Sequence, residues 1–190
     1  MSKRGDYKML TAYHGTKLEF AISIIKQGFD MSHLPNWTGD LGCGIYGFLD
    51  VQNAGMEHAQ YAAKMYAKGK YGCKIKVGVV EFTAEIKMSE ICNLNDHNQQ
   101  SAFRMSRQNF GKIIHQKFGS VNSPAAKRNN EDGILIEALI KKRKWPNWKA
   151  IVRDTYTPLN GEASISNFPN TREICIRDLH TITKCRCLAS

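Results

Sequence analysis

Residues 10–28, LTAYHGTKLEFAISIIKQG, contain the local pattern on which the predicted fold chiefly depends. The first seven residues favour a short strand, because Tyr and Thr are strand formers, and Gly15 permits a turn after it. A helix is expected next, with Thr16 and Glu19 as a capping box and Gly28 as its C-terminal glycine. The apolar side chains of this segment recur at helical spacing: Leu18, Ala21, Ile22 and Ile25.

Further strands and helices are expected along the rest of the chain. Strands are predicted at residues 45–49, 73–86 and 173–177, and helices at about 54–67 and 99–118. The apolar run 134–140 is interpreted as a buried strand, with a short helix left open because such runs are ambiguous. In the second helix Asn53 is the expected cap, and the predicted core-facing residues are Met56, Ala59, Ala63 and Tyr66. Residues 30–44 lack periodicity and are expected to form a loop of functional length.

Length and composition predict one globular domain spanning residues 1–190. The chain is 42% hydrophobic and 23% charged, and no apolar run approaches the roughly 20 residues of a membrane span. The first residues carry charge without an apolar stretch behind it, so no secretory signal is expected and a cytoplasmic location is favoured. In that compartment the six cysteines should be reduced thiols.

The net charge of +10 is concentrated in one part of the chain. Residues 101–153 hold twelve basic and three acidic side chains, and the remainder is almost neutral. A basic insertion at about 93–164 is therefore expected. Within it, aromatic residues follow a basic run, as is typical of surfaces that bind single-stranded nucleic acid. The candidate nucleic-acid-binding residues are Lys141, Lys142, Arg143, Lys144, Trp145 and Trp148. An ordinary solvated face is the alternative.

Four short motifs occur in an order that matters: Tyr13-His14-Gly15-Thr16, Gly42-Cys43-Gly44-Ile45-Tyr46, Ala59-Gln60-Tyr61-Ala62 and Arg172-Glu173-Ile174-Cys175-Ile176. In order and approximate spacing they resemble the ADP-ribosyltransferase fold, in its His-Tyr-Glu branch of poly(ADP-ribose) polymerases and diphtheria-type toxins. The resemblance covers roughly residues 10–87 and 165–183. It implies an α+β fold of two small, mostly antiparallel split β-sheets with flanking helices and an NAD cleft between them.

The resemblance also implies a role for each matching residue. Glu173 would be the catalytic carboxylate at the nicotinamide ribose. The implied NAD-binding residues are His14, Gly15, Thr16, Tyr46, Tyr61 and Trp37, with Tyr46 and Tyr61 on either side of the nicotinamide ring and Trp37 in the covering loop. Simple core positions remain the alternative for both tyrosines, and Glu137 is the substitute candidate for the carboxylate. In many toxins of this fold, the residue two positions before the catalytic glutamate orients the acceptor side chain. This chain has Thr171 at that position, which argues against an arginine acceptor.

The chemistry of these residue types suits NAD cleavage. Breaking the bond between nicotinamide and ribose produces an oxocarbenium-like cation, which a nearby carboxylate stabilises in the transition state. Aromatic rings bind a flat cationic ring by stacking and cation–π attraction, and Gly15 lets the backbone approach the carboxamide. NAD is then a substrate, and the reaction needs no metal. A zinc site built from Cys175, His180, Cys185 and Cys187 is disfavoured, because these residues lack the usual paired spacing.

The sequence therefore predicts a mono-ADP-ribosyltransferase that modifies a macromolecule, with single-stranded DNA or RNA as the favoured acceptor. Small free-standing enzymes of this kind resemble toxins or effectors, which implies an antitoxin or immunity protein as a partner and no membrane contact. The alternatives are a protein acceptor, an NAD glycohydrolase, and a basic RNA-binding domain with an inactive NAD pocket.

Overall fold

A computed structural model describes residues 6–32, 38–51, 56–118, 130–159 and 168–188. Seven strands and four α-helices occur in these ranges. The strands are β1 Tyr7–Lys17, β2 Ile45–Leu49, β3 Val77–Lys87, β4 Ile91–Asn93, β5 Ala150–Thr155, β6 Thr171–Ile176 and β7 Ile182–Leu188. The helices are α1 Leu18–Gln27, α2 Ala59–Tyr71, α3 His97–Phe118 and α4 Glu131–Lys141. Short 3₁₀ turns at Met88–Glu90 and Leu179–Thr181 precede β4 and β7.

The strands form one mixed sheet in the order β4-β5-β6-β2-β1-β3-β7. Its neighbours are antiparallel except for the parallel pair of β4 with β5. The α+β class and the mainly antiparallel pairing are confirmed, whereas the expected separation into two sheets is wrong. The sheet has two halves, β4-β5-β6-β2 and β1-β3-β7, and the joint between them is narrow. Strand β1 pairs with β3 along its full length but with β2 only at Ala12↔Leu49 and Tyr13↔Phe48.

Helix α2 lies unusually close to the sheet because its inner side is made of alanine. Ala59, Ala62, Ala63 and Ala67 are all buried. A Cβ placed on Gly15 of β1 would lie 1.8 Å from the Ala63 carbonyl oxygen, so only glycine permits this approach. Helix α1 covers the opposite face, where Ala21 packs over Gly78. Helices α3 and α4 pack together on the α2 side and bury a second cluster around Ile136 and Ile151.

Several local expectations need correction. Residues 134–140 belong to helix α4, because Leu135, Ile136 and Leu139 are buried while the rest of the run is half-buried between α3 and the sheet. The strand interpretation is therefore wrong, and the alternative of a helix is right. The segment that contains the predicted insertion supplies α3, α4 and the sheet strand β5.

The ends of the first two helices also differ from the prediction. Thr16 continues β1 by pairing with Gly78, and helix α1 begins after Lys17 without a side-chain cap, so the capping box is absent. The glycine end is confirmed: Gly28 has a φ of 82° and donates to Ile24. Helix α2 begins at Ala59, whose amide binds the Asp50 carboxylate, and the expected cap Asn53 lies outside the described residues. None of the described helices has the length and apolarity needed to cross a membrane.

Candidate functional site

A cavity of about 370 Å³ opens on the α2 side of the sheet, where β1 and β2 separate. Its floor comes from these strands and β6, and its walls come from residues 38–44, the second half of α2 and the segment after β5. The predicted residues His14, Gly15, Tyr46 and Glu173 all line it. The fold thus brings together residues that are up to 159 positions apart in the sequence.

His14 closes the gap between the two separating strands. Its Nδ1 lies 2.7 Å from the Tyr46 carbonyl oxygen, which can only accept, so Nδ1 carries the proton. Burial lowers the pKa of His14, which keeps the ring neutral near pH 7. In that tautomer the other ring nitrogen, Nε2, can only accept a hydrogen bond.

Tyr46 holds the cavity wall through its hydroxyl group. The hydroxyl donates to the Gly42 carbonyl at 2.9 Å and accepts from the Leu41 amide at 2.8 Å. Burial, followed by the neighbouring Cys175 and Asp40, raises the pKa of Tyr46 well above its usual value, so the hydroxyl keeps its proton. Tyr46 therefore shapes residues 38–44 in addition to presenting its ring to the cavity.

Glu173 is a mostly buried carboxyl that is supported by a row of threonines. Thr157 donates to its Oε1 at 2.8 Å, and Thr171 lies 2.9 Å behind Thr157, with Thr155 3.2 Å further on. Burial, and then the charge of Asp40, raises the pKa of Glu173 to about 7, although the threonine bonds and Arg153 act in the opposite direction. A carboxyl with such a pKa changes its charge in the range where enzymes work.

An ion pair behind the wall fixes Cys43. Glu137 of α4 accepts from the Cys43 amide at 2.7 Å, and Arg177 binds both Glu137 and the Cys43 carbonyl. Glu137 does not line the cavity. It is therefore a positioning residue for the loop, and the structure gives it no access to a ligand in the cavity.

Three of the predicted NAD-binding residues are not placed in the cavity. Tyr61 lies on the outer side of α2 and is 44% exposed, whereas Tyr66, one and a half turns later, lines the cavity. Thr16 is buried on the α1 side of the sheet, since it pairs with Gly78. Trp37 lies outside the described residues.

Sequence reasoning also missed several residues of the cavity. Asp40 and Lys70 contribute charges of opposite sign to its walls, and Tyr66, Tyr156 and Thr157 complete the lining beside Glu173. The helical phase of α2 would have identified Tyr66 and Lys70, since they lie four residues apart. Asp40 and Thr157 are in segments without periodicity, so no local signal marks them.

The predicted nucleic-acid-binding run is distant from the cavity. Asn130 at the beginning of α4 lines the cavity, whereas Lys141 is the last residue of this helix, about 16 Å further along its axis, and Lys142–Lys144 follow it. The four basic side chains are exposed. Trp145 and Trp148 are partly buried against the second core cluster, and Trp145 lies 5.7 Å from the Phe103 ring. Packing therefore accounts for much of the surface of both tryptophans.

Part of the basic excess is neutralised within the protein. Arg107 and Arg153 both pair with Asp132, at 2.9 and 3.4 Å, and Lys149 pairs with Glu90 at 3.4 Å. Among the described residues no group of three His, Cys, Asp or Glu side chains is arranged to hold a metal ion. The six cysteines are free thiols.

Comparisons with known proteins add no relative. No protein-family model matches this chain, and neither a curated protein nor a solved structure matches it. The geometry and chemistry of the cavity are therefore the basis for assigning a function.

The sequence motifs predict that His14 bonds a ribose hydroxyl of NAD, and on that expectation His14→Ala should weaken NAD binding by about tenfold. Tyr61→Ala should leave NAD affinity close to that of the wild type, because this ring does not line the cavity. Isothermal titration calorimetry of both variants measures the difference. Equal losses in the two variants would mean that Tyr61 reaches the ligand, as the sequence motif predicts.

Replacing Asp40 with Asn should move the acidic limb of the pH profile of kcat/KM to lower pH. The sequence motifs predict that ionised Glu173 is the catalytic group, and the charge of Asp40 helps to raise the pKa of this carboxyl to about 7. Removing that charge lowers the pKa, so the carboxylate forms at a lower pH. An unchanged limb in the variant would show that Asp40 does not influence the group that controls activity.

Proposed function

We propose that this chain cleaves NAD between nicotinamide and ribose and transfers one ADP-ribose unit to a macromolecule, with single-stranded nucleic acid as the favoured acceptor. The observation that carries this proposal is the meeting of His14, Tyr46 and Glu173 in one cavity. These residues come from three strands and are the three residue types expected from the sequence motifs. The cavity volume of about 370 Å³ lies within the range of small-molecule sites.

The charges in the cavity support a dissociative cleavage. As the glycosidic bond breaks, its electron pair leaves with nicotinamide, and the ribose C1′ becomes electron-poor. Ionised Glu173 stabilises that positive charge, which is greatest in the transition state. An oxygen or nitrogen of the acceptor then bonds to C1′, and its proton passes to the solvent.

NAD itself should help Glu173 to ionise. In the free protein a pKa of about 7 leaves a large fraction of this carboxyl protonated at neutral pH. The nicotinamide ring of bound NAD is cationic, and an opposite charge nearby favours the ionised carboxyl. The Thr157 hydrogen bond acts in the same direction, since it is donated to the carboxylate oxygen.

The opposite charge of Lys70 suits another part of NAD. Lys70 lines the cavity on α2, and its ammonium lies 5.8 Å from the centre of the Tyr66 ring. An ammonium group at this position can pair with a diphosphate, which carries the negative charge of the substrate. The cavity thus presents a cation for the phosphates and an anion for the developing cation at C1′.

The decisive experiment incubates the protein with NAD labelled in its ADP-ribose part, in separate reactions with protein, RNA, single-stranded DNA and duplex DNA. The proposal expects nicotinamide release together with label on a single-stranded nucleic acid, and neither product with Glu173→Gln. Label that remains on protein after nuclease treatment would replace the favoured acceptor. Free ADP-ribose as the sole product would mean an NAD glycohydrolase, and no nicotinamide release would contradict the enzyme assignment.

A further inference from the structure

Helix α2 carries lysine and tyrosine on one outward face. Tyr61, Lys64, Lys68 and Tyr71 follow one another at steps of three, four and three residues, which places them on one side of the helix. The buried alanines occupy the opposite side. Tyr61 is exposed, and the other three side chains are partly exposed. We call these four residues the α2 stripe.

The stretch of sequence that contains the α2 stripe is strongly basic. Between His58 and Val80 the sequence has five lysines and no Asp or Glu. Lys74 and Lys76, just beyond the helix, are exposed and extend the positive charge away from its C-terminal end. This contrasts with residues 101–153, where several of the basic side chains are paired with carboxylates of the protein.

Cations and aromatic rings are already in contact at the end of α2. The Lys70 ammonium lies 5.3 Å from the centre of the Tyr71 ring, and the Lys17 ammonium lies 5.7 Å from the same ring. Lys17 also lies 5.4 Å from the centre of the exposed Phe20 ring. Surfaces that bind single strands combine these two groups, because ammonium ions pair with phosphates and aromatic rings stack with unpaired bases.

The position of the α2 stripe connects it to the cavity. Tyr66 and Lys70, on the same helix, line the cavity. The stripe is on the other side of this helix from Tyr66 and Lys70, and a helix with its side chains is about 10–12 Å across. The Lys141–Lys144 run lies at the far end of α4, and its neighbouring tryptophans are partly buried against the second core cluster.

We infer that the α2 stripe, with Lys74 and Lys76, binds a single-stranded nucleic acid and leads it to the cavity. Lysines contact the phosphates, and Tyr61 and Tyr71 offer faces to unpaired bases, which a duplex keeps stacked inside. As the docking of an acceptor this inference rests on the proposed function, whereas the binding itself does not require NAD or turnover.

The test compares two variants that each remove four positive charges. One carries Gln at Lys64, Lys68, Lys74 and Lys76, and the matched control carries Gln at Lys141, Lys142, Arg143 and Lys144. Binding of a fluorescent oligothymidine of about twelve nucleotides is measured by anisotropy without NAD, at salt concentrations from about 0.05 to 0.3 M. A Tyr61→Ala variant is measured with the same single strand and with a duplex.

The α2 variant should bind at least about tenfold more weakly and should reduce the slope of log K against log salt by up to about 3, at roughly 0.7 per lysine. The control should lose less than half as much. Tyr61→Ala should weaken single-strand binding by about tenfold, the effect of one lost base stack, and should change duplex binding less. Circular dichroism of each variant verifies the fold.

Three outcomes would overturn the inference. A larger loss in the control variant would place the nucleic acid on the Lys141–Lys144 surface. If the wild type does not bind the oligothymidine, single-stranded nucleic acid is excluded as the ligand. If poly-glutamate competes equally well for the protein and Tyr61→Ala has no effect, the stripe is assigned to an acidic protein. Nicotinamide release is measured separately, so loss of this inference leaves the assignment of NAD cleavage unchanged, and the reverse also holds.

Discussion

Glu173→Gln is expected to slow nicotinamide release by about 10²- to 10⁴-fold while NAD still binds. Glutamine keeps the shape of the side chain and an oxygen that can accept the Thr157 hydrogen bond, but it lacks the negative charge. That charge acts chiefly in the transition state, so turnover should fall far more than affinity. Single-turnover kinetics and calorimetry of the same preparation measure the two effects.

The same substitution should raise stability above neutral pH. The folded protein holds the pKa of Glu173 at about 7, above the ordinary value of 4.5, so folding takes up a proton between these pH values. The contribution of Glu173 to the stability of the wild type is therefore fully present below about pH 4.5. This contribution is lost as pH rises through about 7. At pH 8, Glu173→Gln avoids burying a charge and should unfold at a higher temperature.

Opposite signs for activity and stability distinguish a catalytic carboxylate from a structural one. A residue that merely supports the fold would lose both when it is replaced. If Glu173→Gln keeps more than about a tenth of the wild-type rate, another carboxylate must act in its place. Asp40, the other carboxylate that lines the cavity, would then be examined first, because Glu137 lies behind the cavity wall.

Arg177→Met is expected to lower the free energy of unfolding by about 3 kcal/mol, the largest stability loss anticipated for this site. Methionine retains much of the aliphatic length but leaves the Glu137 carboxylate without its partner, and it removes the bond to the Cys43 carbonyl. Both side chains of the pair are largely buried, with 11% and 28% exposure, so water cannot fully replace the lost interaction. Urea denaturation at pH 7.5 measures the change.

A double variant provides the control for this prediction. The double variant Glu137→Gln with Arg177→Met removes the carboxylate charge that Arg177→Met leaves unpaired, and it keeps an acceptor for the Cys43 amide. It should therefore be more stable than Arg177→Met alone. Glu137→Gln by itself should retain kcat within about tenfold, because Glu137 lies behind the cavity wall. A double variant as unstable as Arg177→Met would show that the unpaired charge is not the cause of the loss.

The success of the sequence-based predictions depended on whether the deciding contacts are local. Alternation predicts a strand over 73–86, and β3 occupies Val77–Lys87, because backbone geometry alone sets that period. The helix predicted at about 99–118 corresponds to α3, His97–Phe118. Gly28 marks the end of α1 for a similar reason, since its positive φ is a property of the residue itself. These features could be predicted without knowledge of the tertiary structure.

The failures involve distant partners. Thr16 remains in β1 because Gly78 pairs with it from another part of the chain, and this tertiary pairing overrides the capping pattern. The run 134–140 is apolar on most sides because α3 and the sheet enclose it, so its helical period is obscured. Whether Tyr61 or Tyr66 faces the cavity depends on the residue at which helix α2 begins. The helix begins at Ala59, and this start depends on the Asp50 carboxylate, which is distant in sequence and accepts a hydrogen bond from the Ala59 amide.

The cavity lies where the sheet has the fewest backbone connections of its own, between β1 and β2. Two residue pairs and the His14–Tyr46 hydrogen bond connect the halves there, whereas β1 and β3 share eleven paired positions. A ligand that bonds to both sides therefore reinforces the sheet where its own connections are fewest. At one hundred times its Kd it would add about 2.7 kcal/mol to stability. Amide hydrogens of β1 and β2 beside the cavity should then exchange more slowly in the complex than in the free protein.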